Sequence, residues 1–207
     1  MSEILNLIGK QLTAESIGKL SRSIGASPEQ TQQAVSAALP TLLGALTRSI
    51  EAQDGEKNLH NALLKDHDGS ILDNLGALFG GGKADDAGPS VSSRTLSGGA
   101  ILDHILGNKR QRVETGVSSA SGLSTSQVMK LLAMIAPMIM GVLGRRRKQD
   151  DLSSGGLGDL LRSEKKQVES DSLGGGLMSK MFDQDGDGDF DMMDMMKFGA
   201  KKVFGRD

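Results

Sequence analysis

Six carboxylates stand within twelve consecutive residues of this sequence: Asp183-Gln184-Asp185-Gly186-Asp187-Gly188-Asp189-Phe190-Asp191-Met192-Met193-Asp194. Like charges a few ångströms apart disfavour joint ionisation, so crowding of this kind calls for a counter-charge. The spacing says which one. A calcium loop of the EF-hand pattern takes side-chain oxygens at positions 1, 3, 5 and 12 and a backbone carbonyl at 7. It also needs a water-carrying residue at 9 and Gly at 6 for the sharp turn. Those places fall on Asp183, Asp185, Asp187 and Asp194, then on Asp189, Asp191 and Gly188, with the apolar Phe190 at position 8. Ca²⁺ accepts six to eight oxygens in irregular geometry, whereas Mg²⁺ demands a near-octahedral shell. No His or Cys lies nearby, so zinc and copper lack their preferred ligands. A merely solvated acidic tail has no reason to combine Gly at 6, an apolar residue at 8 and a carboxylate at 12. Calcium is the expected ligand.

The flanks qualify the loop. Position 12 is Asp194, where many loops carry a bidentate Glu, and the shorter side chain weakens the site. In this respect the segment resembles dockerin-type and other bacterial EF-hand-like loops. After Gly174-Gly175-Gly176, residues 177–182 leave room for barely one turn of entering helix. On the exit side Met192, Met193, Met196, Ala200, Val203 and Phe204 recur at helical spacing, with Lys197, Lys201 and Lys202 on the polar face. Such a Met stripe is a packing surface, or a soft surface for a protein partner or self-association. A second stretch, Asp66-His67-Asp68-Gly69-Ser70-Ile71-Leu72-Asp73, has the look of a loop fragment. In that register Leu64 and Leu75 fall where ligands should stand, so it reads as a turn capping a helix.

Other chemistries find little support. The chain has no Cys and carries no GxSxG, HExxH, phosphate-binding or dinucleotide-binding motif, so no enzyme is expected. His60, His67 and His104 are scattered and read as solvated or capping residues. The alternative function is binding to nucleic acid or an anionic surface through Lys109, Arg110, Arg112 and Arg145 to Lys148, the acidic loop then being only a solvated tail. Against it stand a net charge of −2 and the absence of Tyr and Trp for base stacking. The loop holds six of the 26 acids, which leaves 20 against 24 bases elsewhere, a balance of +4. The bland account of Arg145-Arg146-Arg147-Lys148 is a cationic end to a helix, where the dipole favours it.

The elements that carry these residues follow from composition and repetition. With five Phe and no Tyr or Trp, a core must come from Leu, Ile, Val, Met and Ala, which favours helices over strands. Ile4 to Leu46 aligns without a gap on Ile101 to Leu143 at an offset of 97, with Gly25/Gly122, Ser27/Ser124, Gln30/Gln127, Pro40/Pro137 and Gly44/Gly141 identical. Ser27-Pro28-Glu29-Gln30 and Ser124-Thr125-Ser126-Gln127 are capping boxes. Each opens a helix that Pro40 or Pro137 should kink or break. The segments after those prolines are apolar nearly all round and must be buried, with Gly44 and Gly141 marking close contacts. The expected fold is all-α: two duplicated helical hairpins with kinked buried helices, packed by pseudo-two-fold symmetry.

The organisation expected is a first repeat over 1–79, a flexible Gly/Ser-rich linker over 80–99 and a second repeat over 100–148. A loose linker with one short helix follows over 149–176, then the EF-hand-like tail over 177–207. The opening Met1-Ser2-Glu3-Ile4-Leu5 lacks the features of a secretory signal, which points to the cytoplasm. A weak calcium site would suit extracytoplasmic levels better. The longest apolar run, Leu131 to Leu143, falls short of the ~20 residues of a membrane span.

The paired segments Ala-Leu-Pro-Thr-Leu-Leu-Gly-Ala-Leu and Ile-Ala-Pro-Met-Ile-Met-Gly-Val-Leu, with Asp-His-Asp-Gly-Ser-Ile-Leu-Asp between them, resemble the bacterial domain-of-unknown-function family numbered 937. The resemblance covers residues 1 to about 148. It implies a bacterial, all-helical protein and brings no activity with it. The acidic tail lies outside it.

Overall fold

The computed structural model describes residues 2–75, 79 and 97–171, and among them every regular element is helical. The helices are α1 (Glu3–Gln11), α2 (Ala14–Ile24), α3 (Pro28–Glu51) and α4 (Gly55–Lys65), followed by a 3₁₀ turn at Ser70–Asn74. Then come α5 (Gly98–Leu106), a 3₁₀ turn at Gly107–Lys109, α6 (Arg110–Ser121), α7 (Thr125–Gln149) and α8 (Ser154–Asp171). One compact unit runs from Ser2 to Lys165.

Local chemistry explains the boundaries. Both capping boxes form: the Ser27 and Ser124 hydroxyls accept from the Gln30 and Gln127 amides at 3.2 and 3.3 Å, and each Gln side chain reaches back to its cap residue. The Ser2 and Thr13 hydroxyls cap α1 and α2 by accepting from the Leu5 and Ser16 amides. α2 and α6 each stop at a left-handed glycine, Gly25 (φ +70°) and Gly122 (φ +71°), a conformation that a Cβ would strain.

The duplication reads through into three dimensions. α1 packs on α7, the long helix of the other half, whereas its counterpart α5 packs on both α7 and α3. Gln127 Nε2 donates to the Gly25 carbonyl at 2.7 Å. In the mirrored place, Gln30 Nε2 lies 3.6 Å from where a Cβ on Gly122 would stand. The repeat also extends past Leu46 and Leu143. Asp54 (φ 57°) and Asp151 (φ 49°), 97 residues apart, are the non-glycine residues with left-handed backbone among those described. Each turns the chain into a fourth helix, α4 or α8, that buries two leucines one turn apart: Leu59 and Leu63, or Leu157 and Leu161.

α7 is the centre of the core. From Ile135 to Gly144 every residue is buried, so this half of the helix is enclosed all round. α3 is buried along one stripe only: Ala34, Val35, Ala38, Leu39, Leu42, Leu43, Leu46 and Ile50. Side chains such as Leu131, Leu132 and Ile135, wholly buried, stabilise by about 1.5–3 kcal/mol each. By length and composition α7 could cross a membrane, since the helix continues past both ends of the apolar run; most of its apolar stretch is buried inside this fold.

Several expectations need correction. Neither proline breaks its helix: α3 and α7 run through Pro40 and Pro137. Pro137 lacks the N–H that would bond the Ala133 carbonyl, and Gly98, at the start of α5, lies directly against that carbonyl. Gly98 and Gly99 are therefore helical, inside the stretch read as linker. Gly44 marks no close contact, for a Cβ there would meet nothing within 4 Å; Gly141 does, against Ile71 and Leu72. The stretch after Lys148 holds the 18-residue α8 rather than a short helix. Gly155, Gly156 and Gly158 lower its helix propensity, but burial of Leu157 and Leu161 overrides that.

Candidate functional site

The carboxylates expected to form a calcium loop, Asp183, Asp185, Asp187, Asp189, Asp191 and Asp194, and the exit helix expected after them, lie outside the described residues. Among the described residues no three His, Asp or Glu side chains are grouped so as to hold a metal ion. The polar chemistry they do contain gathers at two places around the ends of the long helices.

The first is the acidic turn between α4 and the 3₁₀ segment. α4 ends at Lys65, and Gly69, with φ +98°, reverses the chain. A Cβ on Gly69 would stand 2.8 Å from that of Arg145, so both conformation and space require glycine. The carboxylates of the turn are spent locally. Asp68 accepts the Ser70 N–H at 3.0 Å, and that bond, helped by the Lys148 charge, holds its carboxyl below the usual range. Asp73 Oδ1 takes Arg145 Nη2 at 2.8 Å, and the same nitrogen donates to the Gly69 carbonyl at 3.0 Å. Ile71 and Leu72 pack at Gly141, and the His67 carbonyl lies against Gly144. The segment thus sits on the last turns of α7 as the helix-capping turn that its sequence suggests.

His67 departs from expectation. It is 5% exposed rather than solvated, and its Nδ1 has no hydrogen-bond partner. Burial holds the imidazole below its ordinary pKa, with the Asp66 charge opposing it. Its position between Asp66 and Asp68 looks polar in sequence, yet the fold buries it. His60 does act as a capping group, its Nε2 lying 3.1 Å from the Leu152 carbonyl where α7 gives way to α8.

The second place is the start of α1. Glu164, on α8 and 3% exposed, accepts from the Ser2 hydroxyl, from Glu3 N at 3.1 Å and from Ile4 N at 2.9 Å. A carboxylate here satisfies orphan amides of the helix and meets the positive end of its dipole. Nothing local in the sequence marks Glu164, because its partners lie about 160 positions away.

Three of the basic residues weighed for anion binding, Arg110, Arg145 and Arg146, are engaged within the fold. Arg110 bridges Asp103 and Glu114, Arg145 is bound as above, and Arg146 Nη2 pairs with Glu3 at 3.0 Å. The pairs to the exposed carboxylates of Asp103, Asp73 and Glu3 are worth about 0–1 kcal/mol each, so they orient these side chains more than they stabilise the fold.

No curated protein and no solved structure matches the chain. A protein-family model matches residues 6–146, which takes in both halves of the duplicated core through the basic end of α7. The chain belongs to the family described as "Bacterial protein of unknown function (DUF937)".

Proposed function

We propose that this protein is a non-enzymatic calcium-binding module, in which the duplicated helical core carries a C-terminal loop that wraps one Ca²⁺. The observation that carries it is the twelve-residue spacing from Asp183 to Asp194, with Gly188 and Phe190 at the two non-ligand positions of the pattern. The donor set fits the ion: all oxygen, strongly anionic, and free of His and Cys. Asp183, Asp185, Asp187 and Asp194 would ligate by side chain, Asp189 by its carbonyl and Asp191 through water. Binding and folding are coupled, since six unneutralised carboxylates repel one another and the ion removes that repulsion. The amphipathic segment from Met192 to Phe204 then gains helix and presents its Met face to a protein partner or a second copy.

Calorimetric titration of the full chain tests this. Ca²⁺ is expected to bind one site at about 10⁻⁴–10⁻³ M, as befits an unpaired loop ending in Asp, with Mg²⁺ weaker. Asp183→Ala should abolish the heat, and circular dichroism should show a calcium-dependent gain of helix in the parent alone. No heat and no spectral change at millimolar calcium would end the proposal. The alternative, an anionic-surface binder, draws less support, because Arg110, Arg145 and Arg146 already have acidic partners in the fold.

A further inference from the structure

We propose that the turn from Asp66 to Asn74 is a latch on α7 that opens when the His67 imidazole takes up a proton. The latch is independent of the calcium loop. Its closed state is held by four contacts. The His67 carbonyl lies against Gly144, Arg145 binds the Gly69 carbonyl and Asp73, Asp68 closes the turn on Ser70 N, and Ile71 and Leu72 cover Gly141. Two of the four depend on α7 presenting no side chain, so the turn lies on bare helix backbone. Inside this joint His67 is 95% enclosed, given its 5% exposure, and Nδ1 finds no acceptor or donor.

A neutral ring tolerates that position; an imidazolium does not, because a buried charge needs a hydrogen-bonded partner. The charged groups around the joint offer none. Asp66 attracts the charged ring, but burial outweighs that attraction. Asp68 is turned to Ser70 N and feels Lys148, and Asp73 is turned to Arg145. α4 brings Lys65, which is exposed, and α7 brings Arg145 and Lys148, cations that cannot accept a proton from the ring. In the open state His67 would reach water and recover its ordinary pKa near 6.5.

The sign follows from linkage. The closed state holds its His67 pKa below that of the open state, so closure is fully favoured above about pH 6.5. Closure weakens as pH falls from there towards the closed-state pKa, by about tenfold in the opening constant per pH unit. Opening uncovers the Gly141 and Gly144 face of α7 together with Ile71 and Leu72, an apolar surface hidden at neutral pH.

Amide hydrogen exchange on the full chain, corrected for intrinsic rates, tests the latch. Between pH 7.5 and 5.5 the amides of residues 67–74 should lose about tenfold in protection, while Leu131 to Ile135 keep theirs. In His67→Gln, which cannot take up a proton, the same pH step should leave residues 67–74 within about twofold. A His67 ring signal that titrates near 6.5 in the parent would overturn the proposal. So would equal loss of protection in the parent and the variant, or loss spread evenly over α3 and α7. The ring titration needs no variant, so the latch stays open to refutation even if His67→Gln folds poorly.

Discussion

Alanine at Gly144 is expected to cost about 3 kcal/mol of stability in urea unfolding, while alanine at Gly44 should add about 0.5–1 kcal/mol. Both residues lie inside long helices, where helix propensity alone favours Ala by up to about 1 kcal/mol. Their surroundings reverse the sign. At Gly44 a new Cβ meets nothing within 4 Å, so only the smaller entropy of the unfolded chain counts. At Gly144 the methyl group would run into the His67 carbonyl, with the His67 carbonyl carbon at 2.8 Å and the Asp68 carbonyl carbon at 3.2 Å. These obstacles are backbone and cannot rotate aside, so the whole turn must lift from α7. Gly141→Ala, the repeat mate of Gly44→Ala, falls between them. Its obstacles are the Ile71 and Leu72 side chains, which can shift, and a loss of about 1–2 kcal/mol is expected. Urea midpoints for the three variants give the answer. A Gly144→Ala protein as stable as its parent would mean that α7 and the turn do not touch as described.

That contrast also shows where reading a sequence stops. Gly44 and Gly141 occupy equivalent places in two aligned segments, and nothing within either segment tells them apart. The difference comes from Ile71 and Leu72, brought to one helix and not to the other by the chain between the halves. Features set by near neighbours were legible: the Ser27 and Ser124 capping boxes, the all-helical class, and the Asp66 to Asp73 stretch as a turn. Features set by distant neighbours were not. His67 is buried in a turn whose backbone lies against Gly144, some 77 residues on. α8 looked like a loose stretch because Gly155, Gly156 and Gly158 weaken it locally, while Leu157 and Leu161 gain their burial from elsewhere in the fold. The fourth helix of each repeat escaped the alignment for a related reason. Its two halves keep the left-handed Asp and the buried leucine pair, but not the residues between. The acidic loop from Asp183 to Asp194 is the reverse case: its chemistry is entirely local, and spacing alone carries it.

Glu164→Ala should destabilise the protein by about 3–4 kcal/mol, more than an ordinary surface truncation on α8. Three donors converge on this carboxylate: the Ser2 hydroxyl and the amides of Glu3 and Ile4. The amides belong to the first turn of α1, where no intrahelical acceptor exists. Ser2 is 2% exposed and Ile4 fully buried, so water does not readily replace the lost oxygens. Hydrogen bonds to a charged group contribute about 1.5–3 kcal/mol each, but they share one anion here and are not additive. Glu164→Gln separates charge from shape. Its amide oxygen can still accept one bond, whereas its NH₂ faces donors and the attraction to the helix dipole is gone, so about 2 kcal/mol should be lost. Hydrogen exchange gives the spatial signature: in both variants α1 should lose protection ahead of α3 and α7, because the bond that ties α8 to α1 is the one removed. If Glu164→Ala costs less than about 1 kcal/mol, the amides of α1 must find water or another acceptor, and Glu164 does not hold the start of the chain to its second half.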